Sequence, residues 1–531
     1  MSYVAHVSPR NTPQTEPLRG QVKNSAGGYC YQIDKFARLD RFLILGCEGG
    51  TFYASERKLA IQNANIVLDC AKADPIRTVN RIVAISDSGR AIKNDPAIFA
   101  LALLASNKTL DTYLNTAGDL ALSVMPQVCR TGTHLFQFIE ACNELRGWGR
   151  GLRTAVSNWY LAKSPDQLAM QVTKYAQRNG WSHRDVLRLC HANTKNRATQ
   201  DVLQYVAQPD KWGAARRQSK NELLLAVEEV KSADSAKAVI KLVREHGLVR
   251  EHIPTQYLRD PSVQEALLAQ MPMTAMIRNL GGMTASGLLN PLSANTKDVC
   301  EKLRSEAVLK KARVHPFSVL LALKTYSQGC GFRGSLTWTP VPQIVDALND
   351  AFYASFGFIE RTNKRWLLGI DVSGSMGAKI NNTNVSCCEA AGVMAMVALR
   401  TEPQCYAHGF AGSFVDLGLR ASMDLAAVAR KLYMSNFGST DCSLPMTYAL
   451  QYRLEVDCFA VYTDNETYAG RKHPSVALRE YREKMGIDAK LIVVGMTSTG
   501  FSIADPNDPG MLDVVGFDAN APVAMAEFVR G

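Results

Sequence analysis

The chain has 531 residues, 47% of them hydrophobic and 21% charged, with a formal net charge of +11 at pH 7. That length points to two or more domains, and the composition is that of a globular protein, not a disordered or fibrous one. No apolar run reaches the roughly 18 residues of a membrane helix, and the polar stretch 1–20 lacks the apolar core of a signal peptide, so the expected location is the cytoplasm, with no membrane partner.

The charge is one-sided. Residues 361–531 carry 16 Lys+Arg against 18 Asp+Glu, which leaves 44 against 31, a net +13, for residues 1–360. An excess of this kind suits a polyanionic partner, most often a nucleic acid. The 13 cysteines contain no Cys-x-x-Cys pair, and those in apolar contexts (Cys70, Cys190, Cys405, Cys458) read as reduced core residues.

From about 35 to 355 the apolar spacing is helical. Ser164-Pro165 supplies an N-cap and a first-turn proline; Leu168, Val172 and Tyr175 form the stripe, Gly180 the stop, and Ser182 with Asp185 a capping box for the next helix. Leu223, Val227 and Val230 mark a further helix. After the break 232–235, Ala236, Val239, Ile240 and Val243 mark its antiparallel neighbour, ended by Gly247. Many such hairpins without a strict period predict an all-α segment, a solenoid of irregular repeats. The glycine-rich stretch 327–335 reads as a loop, and a last helix over 341–356 leads out of the segment.

The pattern then alternates. Strands are expected at 366–371, 404–410, 458–463 and 491–495, and helices at 386–399, 425–434, 475–485 and 523–529. Alternation of this kind gives an α/β fold with a doubly wound parallel sheet, whose ligands sit at the carboxyl ends of the strands. The expected division is 1–360 for the helical module and 361–531 for the α/β domain.

The first strand of that domain ends in Asp371-Val372-Ser373-Gly374-Ser375, one carboxylate and two hydroxyls at alternate positions. Hard oxygen donors of this type suit Mg2+ or Mn2+. Thr440, in the loop 436–441, and Asp464, at the end of the 458–463 strand, complete a five-residue set. A phosphatase using Asp371 as nucleophile would want a second aspartate where Ser373 stands. No glycine-rich loop ending in Gly-Lys-Ser/Thr and no His-Glu-x-x-His is present, so no enzyme activity is expected.

Asp-x-Ser-x-Ser, a loop threonine and a strand-end aspartate, in that order, resemble the metal-ion-dependent adhesion site of von Willebrand factor A domains. The resemblance makes Asp371, Ser373, Ser375, Thr440 and Asp464 metal ligands, some through water, with a coordination position left for an acidic partner. The one departure is Ser439, where a glycine is expected. Over nearly its whole length the chain resembles the Ro autoantigen family of bacterial or phage type. The carrying segments are 49–53, 128–136 and 148–153, and above all Thr173-Lys174-Tyr175-Ala176-Gln177-Arg178-Asn179-Gly180-Trp181-Ser182-His183-Arg184-Asp185. This implies a monomeric ring of HEAT-like helical repeats, the TROVE module, closed by the A domain. The ring binds small noncoding Y RNAs on its outer surface and 3′ ends of misfolded RNAs in its central hole, for RNA quality control. Some bacterial members work with an exoribonuclease. By motif match Lys174, Arg178 and His191 contact Y RNA, the first two being expected four residues apart on one helix. His191 also shares the face of Leu187, which makes partial burial the competing expectation. Arg150 and Arg153, with Arg146, are candidates on a second helix face beside Trp148 and Trp159. The contrasting expectation is a metal-dependent, protein-binding adhesion module for which the helices are only a scaffold.

Overall fold

The computed structural model describes residues 12–107, 109–215, 218–331, 335–357, 359–433 and 438–531. Between Lys35 and Ala354 the described residues form nineteen α-helices, and most begin at a side chain that satisfies their free N–H groups. Ser164 and Ser182 each close a full capping box, with Gln167 and Asp185. Asn221 caps Glu222–Lys231, Ser235 caps Ala236–His246, and Gly247 ends the latter in the left-handed conformation (φ 65°). The last helix, Pro342–Ala354, starts from Val341.

One expected helix is shorter than its periodicity suggested. Pro165–Lys174 stops at Lys174, and Gln177–Arg178 pairs with Trp181–Ser182 in an antiparallel hairpin. Asn179 and Gly180, both at positive φ (52° and 76°), form its two-residue turn. Asn-Gly favours this turn because both central residues accept left-handed backbone angles. Arg178 is therefore not on the helix that carries Lys174.

The helical segment returns on itself. Arg313 pairs with Asp87 at 2.9 Å, and buried His315 holds the Arg90 carbonyl through Nε2 at 3.0 Å, across 225 residues of sequence. A cavity of about 530 Å³ opens there, lined by Lys93, Arg130, Arg278 and Arg313 together with Tyr326 and Trp338.

In the C-terminal domain the strands run in the order Met511–Val515, Lys490–Gly495, Cys458–Thr463, Arg365–Asp371, Gln404–Phe410, Phe414–Asp416. All neighbours are parallel except the last pair, which is antiparallel. Alternate residues of the first strand bury in opposite directions. Trp366, Leu368 and Ile370 join the core continuous with the helical module, and Leu367 joins Phe459, Leu491 and Val493 on the other side. Arg365–Asp371 lies between Gln404–Phe410 and Cys458–Thr463, so the strand order reverses at its edge with Cys458–Thr463. That reversal opens a crevice at the carboxyl ends.

The halves are joined by charged and aromatic contacts. Arg41, fully buried, pairs with Asp513 and donates to the carbonyls of Thr499 (3.2 Å) and Phe501 (2.9 Å). Arg90 grips Asp518, Lys324 holds Glu389 at 2.6 Å, and Phe317 packs edge-on against Phe517. The first described residues also belong to this junction. The strands Gln21–Lys23 and Tyr29–Gln32 form a three-stranded sheet with Phe501–Ser502 of the C-terminal domain. In sequence this arm precedes the helical module; in space it lies on the α/β domain.

Candidate metal centre and nucleic-acid interface

Asp371 ends the central strand, and Asp464 follows the neighbouring Cys458–Thr463 strand, so the parallel register sets the two carboxylates side by side at the crevice. Both are almost completely buried, as are Ser373, Ser375 and Thr440. Asp371 Oδ1 accepts from the Ser373 N–H at 2.9 Å and Oδ2 from the Thr463 hydroxyl at 2.7 Å. The Ser373 and Ser375 hydroxyls are 3.1 Å apart, and Asp464 is bonded by the Ser375 hydroxyl and, at 3.0 Å, by the Glu466 N–H. Thr440 reaches the group through its backbone. Its carbonyl accepts from the N–H groups of Tyr468 (3.1 Å) and Ala469 (3.0 Å), just past Asp464. Ser439 is not at positive φ, so the expected glycine is not required there. Asn436 and Phe437 of the same loop lie outside the described residues.

The electrostatics of the pair are unresolved by protein groups alone. Burial, and then the neighbouring Asp464 charge, push the Asp371 carboxyl up to about 7; burial raises Asp464 as well. The partners these carboxylates have among the described residues are N–H and hydroxyl groups. A hard divalent cation fits this donor set. It would take two carboxylates and three hydroxyls as oxygen donors and would offset the repulsion between the two charges. Tyr53, from the helical module, stands close enough for its hydroxyl to be pushed up to about 12, by burial first and by the nearby Asp464, Glu466 and Asp371 charges among the rest. Thr463 and Tyr53 were not singled out in the sequence. Thr463 is adjacent to Asp464 and carries a hydroxyl, which was the available signal; for Tyr53 the one signal was its place in the 49–53 segment.

The basic candidates fall on one neighbourhood. Lys174 is half-buried at its helix end, with its ammonium 5.4 Å from the Tyr175 ring, and Arg178 is exposed on the hairpin. His191 is exposed: it ends the helix His183–Cys190 in the left-handed conformation (φ 54°), which turns it off the Leu187 face and removes the expectation of burial. Arg150 and Arg153 are exposed in the first turn of Arg150–Leu161. Arg146 instead follows the preceding helix, so the three do not share one helix face. Trp148, beside Arg150, packs 6.0 Å from Trp181 of the hairpin, which brings the two basic groups to adjoining surface. Trp159 is core. It is fully buried, donates to the Cys129 carbonyl at 2.5 Å and stacks on His183, whose burial holds its imidazole down at about 3. Arg184 and Arg188 were missed; they are exposed, four apart on His183–Cys190, the spacing that places two side chains on one helix face. The sequence holds two further basic clusters, 216–220 and 310–313: Lys310 and Lys311 are exposed while Arg313 is engaged with Asp87 at the closure, and Lys220 is exposed while Arg216 and Arg217 lie outside the described residues.

A model of the TROVE domain matches residues 22–325, and a model of the Ro60 vWA domain matches residues 365–529. The chain is 42% identical over 532 residues to a Deinococcus radiodurans protein named RNA-binding protein RO60, covering 99% of this chain and 98% of that one. It is 35% identical over 583 residues to a Caenorhabditis elegans protein of the same name, covering 96% of this chain and 90% of that one. Among solved structures it is similar to that of the Deinococcus radiodurans Ro (Rsr) protein, with a TM-score of 0.67 at 40% identity over 94% of this chain and all of the other.

Proposed function

From the premise that the chain belongs to the Ro60 family, with a TROVE module followed by its vWA domain, we propose that it is an RNA-binding ribonucleoprotein component acting without catalysis of its own. The observation that carries this is the exposed basic surface around the 177–182 hairpin, where Lys174, Arg178, Arg184, Arg188 and His191 surround a fixed turn and Arg150 and Arg153 adjoin it. Guanidinium and ammonium groups so spaced suit the phosphates of a structured RNA, and a small noncoding Y-type RNA is the partner we assign to this face. The cavity at the closure, with its four cations and with Tyr326 and Trp338, suits a single-stranded 3′ end. Asp371, Ser373, Ser375, Thr440 and Asp464 would hold Mg2+ or Mn2+, which would offer an open position to an acidic ligand of a partner protein. Quality control of misfolded RNA in the cytoplasm, with an exoribonuclease supplying any cleavage, completes the reading; no helix among the described residues is long and apolar enough to cross a membrane.

The test is a salt titration of affinity for a structured small RNA and for an unstructured 3′ tail. Binding that weakens steeply with salt, by counterion release, is expected for both, and Lys174→Ala with Arg178→Ala should weaken the structured RNA alone. Absence of binding at low salt would reject the proposal, and equal losses for the two RNAs would reject separate surfaces.

A further inference from the structure

The arm that precedes the helical module ends its course on the loops that carry the candidate metal ligands. Gln14 is fully buried, and its side-chain amide satisfies every donor and acceptor it has. Its Nε2 donates to Asp441 Oδ1 (2.8 Å) and to the Lys472 carbonyl (2.9 Å). Its Oε1 accepts from the Gly470 N–H (3.0 Å) and the Thr467 hydroxyl (2.5 Å). One side chain thus ties the loop of Thr440 to the loop that follows Asp464. Further along the arm, Asn24 donates to the Thr467 carbonyl at 2.7 Å, and the Ala26 N–H donates to Glu466 Oε2 at 2.9 Å. Two glycines permit this approach: a Cβ at Gly470 would collide with Gln14 and Asp441, and one at Gly28 with the Thr467 carbonyl.

We propose that the N-terminal arm is a strap that positions the two ligand-bearing loops of the metal site, with Gln14 as its central positioning residue, so that arm docking and divalent-cation binding favour each other. This rests on the metal reading above. The coupling must be reciprocal: what the docked arm adds to cation affinity, the cation adds to arm docking.

The test uses the full chain and Mn2+ as probe, with free Mn2+ followed by electron paramagnetic resonance, and hydrogen exchange of residues 14–32 measured with and without Mg2+. Wild type is expected to bind Mn2+ and to slow exchange in the arm when Mg2+ is added. Gln14→Ala should weaken Mn2+ about tenfold and speed arm exchange, while structured RNA binds as before. Asp371→Asn should keep its arm but lose the response of arm exchange to Mg2+. Mn2+ binding at wild-type affinity in Gln14→Ala, or a wild-type arm indifferent to Mg2+, would overturn the coupling alone. A wild-type chain that binds no Mn2+ would overturn the metal reading and the coupling with it. The exchange measurement on wild type decides the matter even if Gln14→Ala does not fold.

Discussion

At the scale of single residues, the chemistry concentrates on two carboxylates that water does not reach. Asp371 and Asp464 are neighbours, and the groups that bond them are neutral. On the proposed metal reading, two like charges held this close oppose each other, and a cation would relieve that repulsion. Asp371→Asn should leave the metal-free chain at least as stable as wild type, because the amide removes one of two like buried charges. Mg2+ should then raise the melting temperature of wild type and not of the variant. At a hundredfold excess over the dissociation constant, the stabilisation expected for one site is about 2.7 kcal/mol. Differential scanning calorimetry with and without Mg2+ reads both effects; a variant that still responds to Mg2+ would place the cation elsewhere.

At the scale of elements, the 177–182 hairpin sets the place of Arg178 within the basic surface proposed to bind RNA. Its turn depends on Gly180 at φ 76°, and an alanine there should cost about 1–2 kcal/mol of local stability. The expected result of Gly180→Ala is weaker binding of a structured RNA with little change for a single-stranded tail, measured by filter binding at constant salt. The hairpin also shows where sequence patterns lose their hold. Helices were legible because their signals are local: Ser164-Pro165, the Ser182–Asp185 box and Gly247 act within one turn of the residues they cap. The strands 458–463 and 491–495 were legible because a fully buried parallel strand is a continuous apolar run. Two-residue strands are too short to show any alternation, so the helical stripe of Leu168, Val172 and Tyr175 outweighed an Asn-Gly turn in plain view. The five candidate metal ligands stood out because each closes an apolar strand or lies in a polar loop of the α/β pattern. Gln14 did not, since nothing about one glutamine in a polar stretch announces partners 427 and 458 residues away.

At the scale of the whole molecule, an apolar core continuous across both halves is pinned by a few buried polar joints. Arg41 is the most exacting of them. It is fully enclosed, its Nη groups are held by Asp513 and two carbonyls of the opposite half, and its buried Nε has no partner among the described residues. Arg41→Ala would leave Asp513 and those carbonyls without their partner, and breaking a buried pair from one side costs about 3–5 kcal/mol. The expected signature in urea is an early transition in which the α/β domain separates from the first helices, seen as increased hydrogen exchange in Lys35–Leu45 and Phe501–Ser502 before the rest. Retention of wild-type exchange in those segments would show that the joint is redundant.

The position of the arm has a consequence for the order of events during synthesis. Gln14 leaves the ribosome early, but its partners Asp441, Thr467, Gly470 and Lys472 are made more than 400 residues later. At about 5–20 residues per second, that interval is on the order of 20–90 s. Throughout it the helical module can form by local contacts while its leading segment has nothing to hold. The closure between Arg90 and His315 can form within that interval, so the arm is the later of the two fastenings and is made onto a helical module that has already returned on itself.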